Sequence, residues 1–278
     1  LFTDIVDQNN KKNTYKYSAK SYKILRDKCL KIFMLLSQNE CDPQFLKEKE
    51  FDFYINGVLS MNFYETPSFN NIKATSEHLI IGEKFVKTIS FVDVEKIELP
   101  SEIETYSYLG GSGSASETAV DNFSFINELE DYKTIIYNQI ISIPLQAPKQ
   151  RELEKKKKKH EGVANNSPSN AIVADEIVEL LHNIAMEGQL IVDAHFSISY
   201  STDSPEKMEE TQSLIENKLF MKGIIVSQNS YNQLELFRCC LPGNAVELKS
   251  YDLFTTTSEA ALCFFFKESY PVNEDSNF

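Results

Sequence analysis

The chain has 278 residues, of which 42% are hydrophobic and 25% charged, and its formal net charge is −13. This ordinary globular composition excludes wholesale disorder, and the length favours two modest domains over a single one. The negative charge excludes electrostatic attraction of the whole chain to nucleic acid or to an anionic membrane, so any such contact must be local.

The first half of the sequence predicts a mixture of helix and strand. Apolar residues recur at intervals of three and four over 18–37, which predicts a helix that belongs to the core. These residues are Tyr22, Leu25, Cys29, Ile32, Phe33 and Leu36. Ranges 51–55 and 85–94 mix aromatic and β-branched residues with polar ones, and we predict half-buried strands there.

A segment rich in glycine and serine, 110–116, separates two parts of the chain. It reads Gly-Gly-Ser-Gly-Ser-Ala-Ser. The absence of large apolar side chains suits a flexible coil or a surface loop, and both a native and an engineered origin stay open. The sequence therefore predicts an α/β subdomain over 1–108, a flexible linker over 109–119 and an α+β subdomain over 120–278.

The second subdomain begins with a strand-like apolar run over 134–143 that Pro144 ends, and we predict a central strand there. A charged segment over 149–160 and a helical stripe closed by Gly188 then indicate a helical hairpin. Residues 190–200 alternate between apolar and mostly polar, which predicts a strand with one buried face.

Ser204 and Pro205 suit the start of a helix that Gly223 ends, and we predict that the helix leads into a strand at 224–226. Near the end of the chain, the order Leu241-Pro242-Gly243-Asn244 predicts a type II turn. The order of elements predicts an α+β fold, a ferredoxin-like split sandwich with a helical hairpin insertion.

Four polar residues on one face of the 190–200 strand invite a catalytic interpretation. Asp193, His195, Ser197 and Ser199 would be the residues of a stand-alone hydrolase. Neighbours on one strand face lie ~7 Å apart, whereas a nucleophile and its base need hydrogen bonds of ~3 Å. We therefore expect a solvated or helix-covered face, and we assign no catalytic residue.

The sequence also predicts no metal or cofactor site. The four histidines lack the i, i+4 spacing that places two imidazoles on one metal, and the five cysteines lack a CxxC pair. Reduced core thiols of this kind point to the cytoplasm. Gly110, Gly111 and Gly113 do not form the GxxxxGK[ST] pattern of a phosphate-binding loop.

One local charge run stands out within the acidic chain. Residues 149–160 carry seven lysines and arginines against two glutamates, a local charge of +5. Its centre is an unbroken row of five lysines: Lys155, Lys156, Lys157, Lys158 and Lys159. This row either contacts phosphates or lipid headgroups, or it is a solvated arm of a helix.

Several short sequence segments in the second half of the chain follow one another in a recognisable order. They are Tyr137-Asn138-Gln139, Arg151-Glu152-Leu153-Glu154-Lys155-Lys156, Val192-Asp193-Ala194-His195-Phe196, Ser213-Leu214-Ile215-Glu216-Asn217-Lys218-Leu219 and Leu241-Pro242-Gly243-Asn244-Ala245-Val246-Glu247-Leu248. A further segment covers residues 251–268. This order resembles the TraG-family ATPases of conjugative transposons, relatives of the VirB and TrbE secretion ATPases.

The resemblance implies the region that precedes the motor domain of a cytoplasmic ATPase, peripheral at the inner face of the membrane. Its expected role is docking and assembly in DNA transfer through a type IV secretion channel. It implies membrane-embedded channel proteins and the protein's own C-terminal motor domain as partners, with ATP and Mg in that motor and no cofactor in this chain. It leaves open a homo-oligomer of the full-length protein. The alternative is an accessory module that contacts nucleic acid weakly through 149–160.

Overall fold

The computed structural model describes residues 18–39, 41–64, 71–91, 105–109, 115–119, 123, 125–126, 129–163, 167–227 and 231–264. The chain forms two compact units, Leu1–Phe51 and Asp52–Phe278. This division differs from the expected boundary at 109–119, and the sheet of the second unit combines strands from both sides of that segment.

The first unit contains helix α1, Ala19–Gln38, which confirms the predicted helix. The Ser18 hydroxyl accepts a hydrogen bond from the Ser21 amide at 3.1 Å and so caps the first turn. The expectation of a core helix was wrong, because no residue of α1 is buried. Periodicity predicts the helix, but it does not say what covers the apolar face.

Helix α2, Glu48–Ser60, replaces the strand predicted at 51–55. Glu50 accepts a hydrogen bond from the Lys47 amide at 2.7 Å, as the third-position glutamate of a capping box does. Two acidic residues in the first turn also favour the helix through its dipole. These local signals outweigh the strand preference of the aromatic residues that follow.

A six-stranded antiparallel sheet forms the centre of the second unit. Its strands are β1 (Ile72–Ala74), β2 (Leu79–Ile81), β3 (Lys84–Ser90), β6 (Thr134–Ser142), β7 (Ile191–Thr202) and β8 (Phe254–Thr257). The order is β1-β2-β3-β7-β6. One edge of β7 pairs with β6, and the other is shared by β3 and β8. β7 is thus the strand that joins all parts of the sheet.

The α+β class is confirmed, but the ferredoxin-like arrangement is not. β6 was expected as a central strand, whereas it ends the strand order in the described part of the sheet. The stretch 224–226 is not a strand and is followed by a single bridge between Ser227 and Ser90. Of the predicted strand at 85–94, residues 85–90 belong to β3, and residues 92–94 lie outside the described part of the chain.

The predicted linker, 109–119, overlaps a two-stranded hairpin that forms a sheet of its own. β4, Thr105–Leu109, pairs antiparallel with β5, Ala115–Ala119. Leu109 and residues 115–119 of the predicted linker are therefore strand, while the Gly/Ser residues 110–114 lie outside the described residues. Composition indicated the break between the strands but not the pairing on either side of it.

Two helices, α3 (Gln146–Glu161) and α4 (Pro168–Glu187), follow β6 and precede β7 in the chain. They pack against each other. Their shared core includes the buried Leu153, Ile177 and Ile184. Gly188 ends α4 with φ 67°, a left-handed conformation that suits glycine. This pair is the predicted helical hairpin.

Helix α5, Pro205–Phe220, begins where Ser204 accepts a hydrogen bond from the Lys207 amide at 3.3 Å. Its residues Ile215 and Leu219 pack on one face of β7 in the largest core cluster. Helices α6 (Gln233–Arg238) and α7 (Ser258–Leu262) complete the unit. Between them the Asn244 amide donates to the Leu241 carbonyl at 3.1 Å, and Gly243 has φ 89°, as in the predicted type II turn.

Candidate functional site

The polar face of β7 is the first candidate site. His195, Ser197, Ser199 and Ser201 are all 0% exposed. Side chains and backbone from residues 233–252 cover this face. The hydrophobic cluster that includes Phe196 and Ile198 covers the other face. The expectation of a strand with one buried face was therefore wrong, because β7 is buried on both. Of the two expectations for the polar residues, a solvated or a helix-covered face, the structure shows the covered one.

His195 makes one hydrogen bond within this face. Its Nδ1 lies 2.8 Å from the backbone carbonyl oxygen of Asp252. Because a carbonyl oxygen only accepts, Nδ1 carries the proton and Nε2 carries a lone pair. Nε2 is buried and has no hydrogen-bond partner among the described residues. Burial lowers the pKa of His195, and the Asp252 carbonyl opposes that shift only in part.

Asp193 is oriented towards other partners than His195. Its Oδ1 lies 2.9 Å from Nζ of Lys149 on α3 and accepts a hydrogen bond from Thr255 on β8 at 2.7 Å. The structure thus places Asp193 and His195 on the same strand face but gives each its own partner. The Asp193 carboxylate ties α3 to β8, a structural contact that side-chain period did not predict.

Ser199 belongs to a buried polar cluster with Thr88, Gln233 and Cys240. Its hydroxyl lies 2.8 Å from the Thr88 hydroxyl and 3.5 Å from Sγ of Cys240. The Gln233 amide accepts from the Thr88 N–H at 2.8 Å and donates to the Thr88 carbonyl at 3.0 Å. Gln233 thus continues the sheet as a neighbouring strand would.

Cys240 of this cluster and its neighbour Cys239 are not activated nucleophiles. Burial raises the pKa of Cys240 to about 11 and that of Cys239 to about 12. The reactive form of cysteine is the thiolate, so both thiols stay protonated near neutral pH. Nothing in the sequence pattern indicated that Gln233 would bond to Thr88 or that Cys240 would lie against Ser199.

The lysine arm, defined as Lys155, Lys156, Lys157, Lys158 and Lys159, lies on the second half of α3. Lys157 pairs with Glu161 at 3.5 Å. The other four lysines are exposed and form no ion pair with the described residues. Cations near a helix C-terminus are favourable, so the helix tolerates the run, and four positive charges face solvent.

A small apolar surface lies where β6 ends and β7 begins. We call it the sheet-end patch; it consists of Ile143, Leu145 and Leu190, which are 64%, 81% and 41% exposed. The Gln146 side chain bonds to both the N–H and the carbonyl of Ile191, at 2.8 and 3.0 Å, and so joins the two chain segments that contain Leu145 and Leu190. Exposed apolar surface of this kind is typical of an interaction site.

Among the described residues, no group of three or more His, Cys, Asp or Glu side chains could hold a metal ion. No helix in that part of the chain is both long and apolar enough to cross a bilayer. Neither family models nor curated proteins gave a match to the chain.

Proposed function

We propose that the chain is the N-terminal, non-motor region of a conjugation or type IV secretion ATPase of the TraG family. Its role is docking and assembly in DNA transfer. The sequence segments that resemble the family support this proposal, because three of them contribute to one hydrophobic cluster of the second unit. Phe196 and Ile215 belong to that cluster, and Tyr137 packs against it.

In this proposal, the motor domain follows the chain and supplies ATP and Mg binding, and the present residues supply contacts. The region is cytoplasmic and peripheral at the inner face of the membrane. Its partners are membrane-embedded channel proteins, its own motor domain and, in the full-length protein, further copies of itself. No catalytic residue is assigned to the chain.

The sheet-end patch is the observation that carries the docking role. Leu145 is 81% exposed, and its neighbour Gln146 is hydrogen-bonded to Ile191, which follows the exposed Leu190 in the chain. Covering such a residue removes apolar surface from water, which favours association. We therefore propose that a channel protein covers the sheet-end patch.

The test is a pull-down of the membrane-embedded channel proteins by the full-length parent protein. We expect Leu145→Glu to abolish capture, because it places a charge in the contact. Val246→Glu is the matched control, since Val246 is apolar, 89% exposed and away from the patch; it should leave capture unchanged. Equal capture by a parent protein that lacks residues 1–278 would contradict the docking role.

A second candidate function is contact with transferred DNA, which the four unpaired lysines of the lysine arm favour. Because the net charge of the chain is −13, we expect the binding to DNA to be weak and salt-sensitive. Fluorescence anisotropy with single-stranded DNA at several salt concentrations tests this function. Replacing Lys155, Lys156, Lys158 and Lys159 by Gln should reduce the affinity and the salt dependence.

The control for this test replaces four other exposed lysines by Gln and so has the same net charge. These are Lys49, Lys73, Lys207 and Lys222. If both variants bind DNA equally, the lysine arm is a solvated arm and the second candidate is excluded.

A further inference from the structure

Helix α1 carries an apolar stripe that the described residues do not bury. The stripe consists of Tyr22, Leu25, Cys29, Ile32, Phe33 and Leu36, which lie within an arc of about 100° at 3.6 residues per turn. Leu25 and Ile32 are 60% and 58% exposed. Only Phe33 is partly covered, by a stacked contact with Phe45 at 4.9 Å between ring centroids.

The same helix is strongly basic in an acidic protein. It contains five cations, Lys20, Lys23, Arg26, Lys28 and Lys31, and one anion, Asp27. The chain as a whole has a net charge of −13. At helical spacing, Arg26 and Lys28 border the apolar stripe on its two sides. None of the five cations forms an ion pair with the described residues.

Charge complementarity selects the surface that fits this helix. A second copy of α1 would bring five more cations against these five, and like charges repel. An anionic lipid surface instead attracts the cations and accepts the stripe. Lysine and arginine side chains beside such a stripe extend along apolar surface and keep their charges at the headgroups.

The distribution of apolar side chains also suits lipid better than a helical partner. Leu30, Met34 and Leu35 lie outside the stripe and are 41%, 60% and 58% exposed. A coiled-coil seam would use only two positions in seven, whereas acyl chains conform to a wider and less regular apolar surface.

We propose that α1 lies in the plane of an anionic membrane surface. The stripe enters the boundary between headgroups and acyl chains, and the five cations contact lipid phosphates. This lipid contact goes beyond docking to channel proteins and does not depend on it. It identifies the element of the chain that would hold it at a membrane without crossing the bilayer.

The absence of tryptophan from the chain allows a direct test in the intact protein. Leu36→Trp places the only tryptophan in the stripe, and Gln38→Trp places it on the opposite side of α1; both positions are exposed. With vesicles of equal parts phosphatidylcholine and phosphatidylglycerol, we expect a blue shift of emission for Leu36→Trp and little change for Gln38→Trp. Equal responses from both positions would overturn the in-plane orientation.

Vesicle cosedimentation then separates the two contributions. Replacing Lys20, Lys23, Lys28 and Lys31 by Gln should lower partitioning into these vesicles by about 100-fold or more, since each surface charge contributes about fivefold. Leu25→Gln with Ile32→Gln should also lower it. Met221→Gln with Val246→Gln is the control for the apolar pair, because both residues are more than 80% exposed outside α1.

Equal binding to vesicles of phosphatidylcholine alone would overturn the role of anionic lipid. Self-association that the stripe variants abolish, without vesicle binding, would identify a second copy as the partner and overturn the proposal. Because the vesicles contain no channel protein, a negative result here leaves the docking test unaffected. A failed pull-down likewise leaves the lipid contact unaffected.

Discussion

Helix α1 and strand β7 both show a clear period in sequence, and the structure covers them in opposite ways. The apolar stripe of α1 predicted a core helix, yet no residue of α1 is buried. The alternate polar residues of β7 predicted one buried face and a second face that is either solvated or helix-covered, and on that second face His195 and Ser197 are fully buried. Period therefore predicts the type of element. What lies on each face depends on other parts of the chain or on other molecules.

The largest effect should come from the apolar face of β7. Phe196 is fully buried, with T-shaped contacts to Phe254 at 5.3 Å and to Phe91 at 6.1 Å between ring centroids. We expect Phe196→Ala to lower the free energy of unfolding by about 3–5 kcal/mol, because it removes buried surface and leaves a cavity. Urea denaturation measures this change. A loss below ~1 kcal/mol would show that the face is not a core.

The pH dependence of stability tests the polar face. The folded-state pKa of His195 is lowered by burial, so the unfolded chain takes up a proton near pH 6.5 before the folded chain does. Stability from His195 is therefore present above pH 6.5 and is lost as pH falls towards the lowered pKa. The slope should not exceed about 1.4 kcal/mol per pH unit for one proton.

His195→Asn is the informative variant, because its amide can still donate to the Asp252 carbonyl but does not titrate. Urea denaturation at several pH values below 6.5 should show a flatter dependence in this variant than in the wild type. An unchanged dependence would mean that His195 is protonated in the folded protein or is accessible to solvent.

Two serines on the same face allow a smaller and closer comparison. Ser199 shares a hydrogen bond with Thr88, whereas the buried Ser197 hydroxyl has no hydrogen-bond partner in the described part of the structure. Ser199→Ala should lower the free energy of unfolding by about 1 kcal/mol. Ser197→Ala should be neutral or slightly stabilising, because it removes an unsatisfied group. Equal losses in both would indicate that Ser197 bonds to a buried water.

The smallest effect should come from α1 when lipid is absent. Ile32 is 58% exposed, and we expect Ile32→Ala to change the free energy of unfolding by less than about 0.5 kcal/mol. The measurement is thermal or urea unfolding without vesicles. A loss above ~1 kcal/mol would show that α1 is part of a core and would remove the contrast with β7.

Sequence predicted best the features that short-range contacts determine. Ser204 and Pro205 start α5 as expected, and Gly243 forms the predicted turn, because their hydrogen bonds lie within a few residues. The strand prediction at 51–55 failed even so, because the aromatic residues there favour a strand, whereas the capping contact of Glu50 just before them favours a helix.

The candidate surfaces were predictable only in part. The lysine arm was visible as a run of charge. The sheet-end patch was not, because the segments that contain Leu145 and Leu190 are joined by the Gln146 side chain, 45 residues from Ile191. The cover of β7 was likewise not predictable, because Cys240 lies 41 positions from Ser199 and Asp252 lies 57 positions from His195.

The place of β7 in the sheet has a consequence for how the protein is made. Strand β3 meets β7 through residues such as Thr88 and Ser199, which are 111 positions apart. During synthesis β1, β2 and β3 leave the ribosome long before β7 exists, whereas the β4–β5 and α3–α4 pairs can form as they emerge. The edge of β3 that pairs with β7, and the buried Ile89 on that strand, then lack their partners until β7 arrives, so the nascent chain is most prone to aggregation in that interval.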